Sequence, residues 1–185
     1  MRVRAGALKG QRLEAPAGLA TRPTADRVRI ACLDTLAPHL ARGAFLDLFA
    51  GAGAVGIEAL SRGAPTAVFV ELAAPALRAL RDNIERLGLG ARARVIREDA
   101  PRAVQALARR EERFAVVFLD PPYTSPRGTE ALAAVATGAL LAPGAVVVVQ
   151  HATKSPPPPS PGVLVPWKAS RFGETTLTFF RSPVD

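Results

Sequence analysis

The chain has 185 residues, 49% of them hydrophobic, with 24 Lys and Arg against 16 Asp and Glu for a formal net charge of +8. That is one domain's worth of chain with enough apolar material for a single core, which excludes a second full-sized domain and wholesale disorder. No apolar run reaches the ~18 residues of a membrane span, no apolar stretch follows Arg2 and Arg4 as in a signal peptide, and Cys32 as the only cysteine excludes disulfide and Cys-based zinc chemistry. A cytoplasmic monomer without a metal site is expected.

In chain order, residues 2–5 and 12–15 are short β-like pieces about a turn at Gly10, a small hairpin that reads as an appendage. After Thr21-Arg22-Pro23, Thr24 can cap a helix to about Leu40. Its apolar stripe is Val28, Cys32 or Leu33, Leu36 and Leu40, with Arg27 and Arg29 left outside it and Cys32 a small core residue. Residues 1–42 carry +5 of the total +8, and only Lys9, Lys154 and Lys168 of the chain's cations are lysines. The arginine fork suits bidentate contact with phosphate, so nucleic acid is a reasonable partner for this basic end.

From Ala44 onward, strands at 45–49, 67–70, 94–97 and 114–119 alternate with helices at 55–61, 75–87 and 101–110. That rhythm specifies βαβ units. The unbroken apolar runs 116–119 and 146–149 fit strands covered on both faces, so a doubly wound, mostly parallel α/β domain over residues 43–185 follows. Pro156–Pro159 and Pro161 read as a stiff connector. Residues 163–165 and 175–180 then form a closing antiparallel pair at the sheet edge, with Trp167 packed under it. His39 and His151 read as structural.

Asp47-Leu-Phe-Ala-Gly51-Ala-Gly53-Ala-Val-Gly56 follows the first of these strands and opens a helix, the context of a nucleoside-binding glycine turn. Glu71 ends the second strand, 20 residues after Gly51, where a carboxylate can accept both ribose hydroxyls. NAD and S-adenosylmethionine both fit that geometry. Asp47 favours the second, because a carboxylate near the turn repels a pyrophosphate and welcomes a sulfonium and an ammonium. Asp99, after the third strand, can accept from an adenine amino group or cap the next helix.

Asp120-Pro121-Pro122-Tyr123 follows the fourth strand, at the carboxyl edge where open α/β sheets bind ligands. Two prolines lock the loop, so the Pro121 carbonyl and Asp120 carboxylate become fixed acceptors for an exocyclic amine. Holding its hydrogens turns the nitrogen lone pair toward a sulfonium methyl, and Asp120 can take the released proton. Tyr123 offers a face on which an unstacked base can rest.

With these residues the chain resembles class I S-adenosylmethionine-dependent methyltransferases. More narrowly, it is similar to the bacterial family that methylates the N2 amine of one guanine in 16S ribosomal RNA. The resemblance spans nearly the whole chain. Its pieces are Gly6-Ala-Leu-Lys9-Gly10, Arg22-Pro23-Thr24-Ala-Asp26-Arg27-Val28-Arg29, the glycine turn from Asp47, Asp120-Pro-Pro-Tyr123 and Phe172-Gly173-Glu174-Thr175. It departs from the family's usual pattern at Ile30 and at Leu33-Asp34. The resemblance implies a seven-stranded sheet, with Asp47, Phe49, Gly51, Gly53 and Gly56 at the methionine part of the cofactor, Glu71 at the ribose and Asp99 at the adenine. It places Asp120, Pro121 and Tyr123 at the target guanine. It also implies that the extension 1–42 contacts 16S ribosomal RNA in the small subunit through Arg2, Arg4, Lys9, Arg22, Arg27 and Arg29. A DNA adenine or cytosine amino-methyltransferase and a catalytically silent RNA-binding assembly factor are the alternatives.

Overall fold

The computed structural model describes residues 1–16, 23–123 and 125–184; Thr21 and Arg22 lie outside the described residues. Its elements are α1 (Pro23–Leu40), β1 (Phe45–Leu48), α2 (Ala54–Ser61), β2 (Ala67–Val70), α3 (Ala74–Arg86), β3 (Ala93–Ile96), α4 (Ala100–Arg109), β4 (Phe114–Leu119), α5 (Arg127–Val135), β5 (Leu141–Ala152), β6 (Val165–Phe172) and β7 (Thr175–Arg181). The strands form one seven-stranded sheet in the order β3-β2-β1-β4-β5-β7-β6. β1 to β5 run parallel, and β7 joins β5 and β6 antiparallel.

The alternation anticipated the parallel half closely, because β1, β2 and β4 are buried on every residue and therefore carry unbroken apolar sequence. Sheet pleating sends Phe45, Val116 and Phe118 to a core under α1, α2 and α3, and Leu46, Leu48, Val117 and Leu119 to a second core under α4 and α5. Three differences appear outside that half. α5 was not anticipated, although Ala131, Leu132 and Val135 give it a buried stripe at helical spacing. β5 begins at Leu141, well before the apolar run, and its register with β4 shifts between Phe114 and Val116. The penultimate strand is β6 at Val165–Phe172 rather than 163–165, with Trp167 on it. That indole sits edge-on to Phe179 at 6.0 Å and to His39 at 5.6 Å, under the Arg181 guanidinium at 3.8 Å.

The N-terminal hairpin forms, closed by the Arg2–Arg12 antiparallel bridge, and it is bound tightly to the sheet layer. Val3 and Leu13 enter the same core as Val28, Leu36 and Ile57. The Ala7 amide donates to the Ser61 carbonyl at 2.8 Å, and the Ser61 hydroxyl donates to the Ala5 carbonyl at 2.6 Å. Gly6, at φ 83°, is required there, since a Cβ would lie 1.9 Å from the Ser61 carbonyl oxygen.

A buried ion pair completes this attachment. Glu58 of α2 is 0% exposed and accepts from Arg29 Nε at 3.0 Å, Arg62 Nη2 at 2.8 Å and the Arg4 amide at 3.2 Å. Arg29 is 5% exposed and also lies 3.0 Å from Asp26. This corrects the expectation that Arg29 faces outward to a phosphate. Its guanidinium neutralises a buried carboxylate. Arg4 donates to Asp26 at 2.6 Å. Burial works to raise the Asp26 carboxyl, but the Arg4 hydrogen bond and the charges of Arg29 and Arg4 outweigh it and hold the group below its usual range. Removing one partner of such a pair leaves the other charged and dry. Glu58→Gln is therefore expected to cost about 3 kcal/mol in urea unfolding; a loss below ~1 kcal/mol would show that the pair is not what secures the N-terminal layer.

Candidate active site

β1 and β4 lie side by side in register, Leu48 opposite Leu119, so the loops that follow them leave the sheet at the same edge. The first loop is the glycine turn, and its residues divide into two roles. Gly53 and Gly56 are set by packing. A Cβ on Gly53 would stand 2.4 Å from Leu80 Cδ1, and one on Gly56 would stand 2.3 Å from Phe69 Cε1. Gly51, at φ 57°, has open space where its Cβ would be, so its conformation rather than packing calls for glycine. Phe49 holds φ 63°, an uncommon left-handed conformation for a bulky residue, of the kind that clusters at ligand sites.

Asp47 is 1% exposed and accepts the Gly56 amide at 2.9 Å, so its carboxyl pins the start of α2 from below the turn and presents no exposed surface to the cleft. Burial drives its pKa up to about 8; the Gly56 hydrogen bond opposes this and the negative charges of Asp120 and Glu71 add to it. Glu71 joins the turn to the second loop, its Oε2 accepting the Gly51 amide at 2.8 Å and its Oε1 accepting the Leu72 and Ala73 amides at 2.7 Å. Three of its roughly four acceptor positions are therefore committed to backbone. Asp99 makes no side-chain cap on α4. Its Oδ2 instead accepts from Arg127 Nη1, at the start of α5.

Phe49, Glu71 and Asp99 thus come together on one cleft of about 310 Å³, completed by Leu72, Glu98, Pro122 and Arg127. No sequence motif pointed to Arg127 or Glu98. Its charged lining is Glu71, Glu98 and the paired Asp99 and Arg127, which makes the cleft anionic overall. Its volume is on the scale of small-molecule sites.

The second loop begins at Asp120, whose amide donates to the Leu48 carbonyl at 3.4 Å, tying it to the end of β1. Burial raises the Asp120 carboxyl to about 7. The loop is braced from behind, because a Cβ on Gly128 of α5 would stand 2.5 Å from Pro121 Cγ. Tyr123 is 51% exposed, its hydroxyl 3.4 Å from Thr175 Oγ1. A smaller cavity of about 150 Å³ lies behind Tyr123 against His151 and Pro156–Pro158, so the proline connector walls one side of the site.

The family model described as conserved hypothetical protein 95 matches residues 1–181. The chain belongs to that family. It is 37% identical over 181 residues, 98% of either chain, to the Bacillus subtilis protein named "Putative rRNA methyltransferase YlbH". It is 31% identical over 157 residues, 84% of this chain and 81% of the relative, to "Ribosomal RNA small subunit methyltransferase D" of Haemophilus influenzae. The solved structure named "Putative methyltransferase yhhF", from Escherichia coli, superposes with a TM-score of 0.86 at 30% identity, covering 100% of this chain and 99% of that one. The family's fold is that of the class I S-adenosylmethionine-dependent methyltransferases.

The six cations expected to meet RNA are scattered. Lys9 sits in the turn that follows Gly6, at the end of α2 opposite the glycine turn; Arg2 is exposed and donates to the Gly10 carbonyl at 2.8 Å; Arg4 and Arg29 belong to the ion-pair network; Arg22 lies outside the described residues. Arg27 is exposed and borders a cleft with Arg171. No helix among the described residues is long and apolar enough to cross a membrane.

Both raised carboxyls affect folding with a definite sign. Their folded pKa values of about 8 and about 7 stand above the ~4 of an unfolded Asp, so the folded chain holds extra protons between those limits. Stability is greatest at the acid end of that window and falls as pH rises toward 8. Thermal melts from pH 5 to 8 are expected to show this decline in the wild type and a shallower one in Asp47→Asn; parallel curves would refute the assignment.

Proposed function

We propose that this chain transfers the methyl group of S-adenosylmethionine to the exocyclic N2 amine of a guanine in 16S ribosomal RNA of the small subunit, in the cytoplasm. The observation that carries this reading is the side-by-side exit of β1 and β4, which sets the Asp-Pro-Pro-Tyr loop against the glycine turn with Phe49 and Pro122 on a common cleft. Relatives named as rRNA methyltransferases support the substrate class. The intact glycine turn and Asp-Pro-Pro-Tyr loop favour an active enzyme over a silent module.

The residues fit the cofactor. Glu71, through its remaining acceptor position, would hold the ribose, the free Oδ1 of Asp99 the adenine amino group, and the turn at Phe49 and Gly51 the methionine part. When bound, the cofactor supplies an electrophilic methyl on a sulfonium. The Pro121 carbonyl and Asp120 carboxylate would accept the two N2 hydrogens and so aim the nitrogen lone pair toward the place where the cofactor would present its methyl. Asp120 then takes the surplus proton. A carboxyl raised to about 7 suits that task at neutral pH. Tyr123 stacks on the displaced base. Residues 1–42 act as an RNA-facing extension of the domain at 43–185.

Asp120→Ala is expected to lower turnover by roughly 10²-fold while calorimetric affinity for S-adenosylmethionine stays near the wild-type value. A large loss of cofactor affinity would overturn the role given to Asp120. The substrate is tested with labelled cofactor and small-subunit particles, naked ribosomal RNA or duplex DNA, followed by nucleoside mass spectrometry. N2-methylguanosine in the ribosomal RNA is the expected product. Methyladenine or methylcytosine in DNA would replace this reading with the DNA enzyme.

A further inference from the structure

We propose that the cleft between the start of α1 and the β6–β7 hairpin is a second RNA subsite, one that seats the unpaired nucleotide next to the reacting guanine. Arg27 and Arg171 hold its phosphates and Phe172 forms its floor. The inference rests on the reading of the chain as an RNA methyltransferase and adds a site to it.

The cleft encloses about 360 Å³ and is lined by Arg27, Arg171, Phe172 and Gly173. Both arginines are exposed. Arg171 donates one hydrogen bond, from Nε to the Gly173 carbonyl at 3.0 Å, which aims the guanidinium and leaves about four of its five N–H groups to give. Arg27 lies two positions before Arg29, yet the helix turns Arg29 into the Glu58 pair and Arg27 out to the cleft. Glu174, the acid in the hairpin turn, is exposed and does not line the cleft, so its lining charge is positive.

The hairpin holds this wall at a set distance from the reacting loop. Thr153, just past β5, donates its amide to the Glu174 carbonyl at 2.8 Å and its hydroxyl to the Gly173 carbonyl at 3.2 Å. Phe172 faces Thr175 across the strand pair, and the Tyr123 hydroxyl lies 3.4 Å from Thr175 Oγ1. Cross-strand partners stand about 5 Å apart, so the cleft opens one strand pair away from the side chain that stacks the target base. A base drawn out of its helix leaves a stretched backbone with exposed phosphates on either side. Single strands are held by cations on those phosphates and by rings beneath neighbouring bases, which is what two arginine forks and a half-buried phenylalanine offer.

The test uses full-length protein with Arg27→Ala, Arg171→Ala, the double variant and Arg171→Lys. Binding of a short fluorescent single-stranded oligoribonucleotide is followed across salt concentrations, beside methylation of small-subunit particles. Each alanine is expected to weaken binding roughly 5-fold and to reduce the log–log salt slope by about 0.7, with Arg171→Lys restoring the slope. In methylation the loss falls on KM for the particle rather than on kcat. Wild-type affinity and slope in the double variant would overturn the subsite, and with normal methylation the enzymatic reading would stand. Arginine-dependent binding in a protein that methylates no small-subunit RNA would leave the subsite standing and remove the enzymatic reading.

Discussion

The parallel pairing of β1 with β4 is the constraint on which the site depends. The sheet grows outward from that pair in two directions, toward β3 on one side and toward β5 and the antiparallel strands on the other. At such a switch point the two following loops part instead of covering each other, and a crevice remains between them. A glycine turn on one side and a proline-locked loop on the other are then placed by the sheet and braced by contacts such as Asp47 with the Gly56 amide and Gly128 against Pro121. The Asp120 amide, reaching the Leu48 carbonyl, ties the second loop to the end of β1.

Charge in this molecule is arranged by burial. Asp47 and Asp120 are carried on the same face of neighbouring strands into surroundings that oppose ionisation. The opposite arrangement holds beneath the N-terminal hairpin, where Glu58 is just as buried but surrounded by Arg29, Arg62 and the Arg4 amide. One set of carboxyls is left in need of a partner and the other is supplied with three.

The hairpin at the start of the chain shows how an appendage becomes part of a core. Its apolar residues Val3 and Leu13 are few, but they join a cluster already formed by α1, α2 and α3. Its polar backbone is matched to Ser61, and Asn83 donates to the Glu14 carbonyl at 2.9 Å and to the Ala52 carbonyl at 3.0 Å. Asn83 thereby links the N-terminal segment to the glycine turn itself.

The sequence by itself determined the parallel half of the sheet and the order of the two ligand loops, because strands buried on both faces must be written as unbroken apolar runs and because Gly51 and Asp120-Pro-Pro-Tyr123 follow directly from them. Helix α5 is equally local: Ser125 before Pro126 is a start signal, and the Ser125 hydroxyl accepts the Arg127 amide at 3.2 Å, but its buried stripe of Ala131, Leu132 and Val135 is short and lies in an alanine-rich stretch. What only the tertiary structure decided were the partners reached across long separations. Arg29 and Arg27 are two residues apart on one helix, and nothing in their spacing tells which meets a buried glutamate and which faces the β6–β7 hairpin. Asp99 and Arg127 meet only because α4 and α5 pack side by side, and Gly56 proved to be a packing residue only once Phe69 was placed against it. Local periodicity reports how deeply a residue is buried; the identity of its neighbour is set by how distant segments fold onto one another.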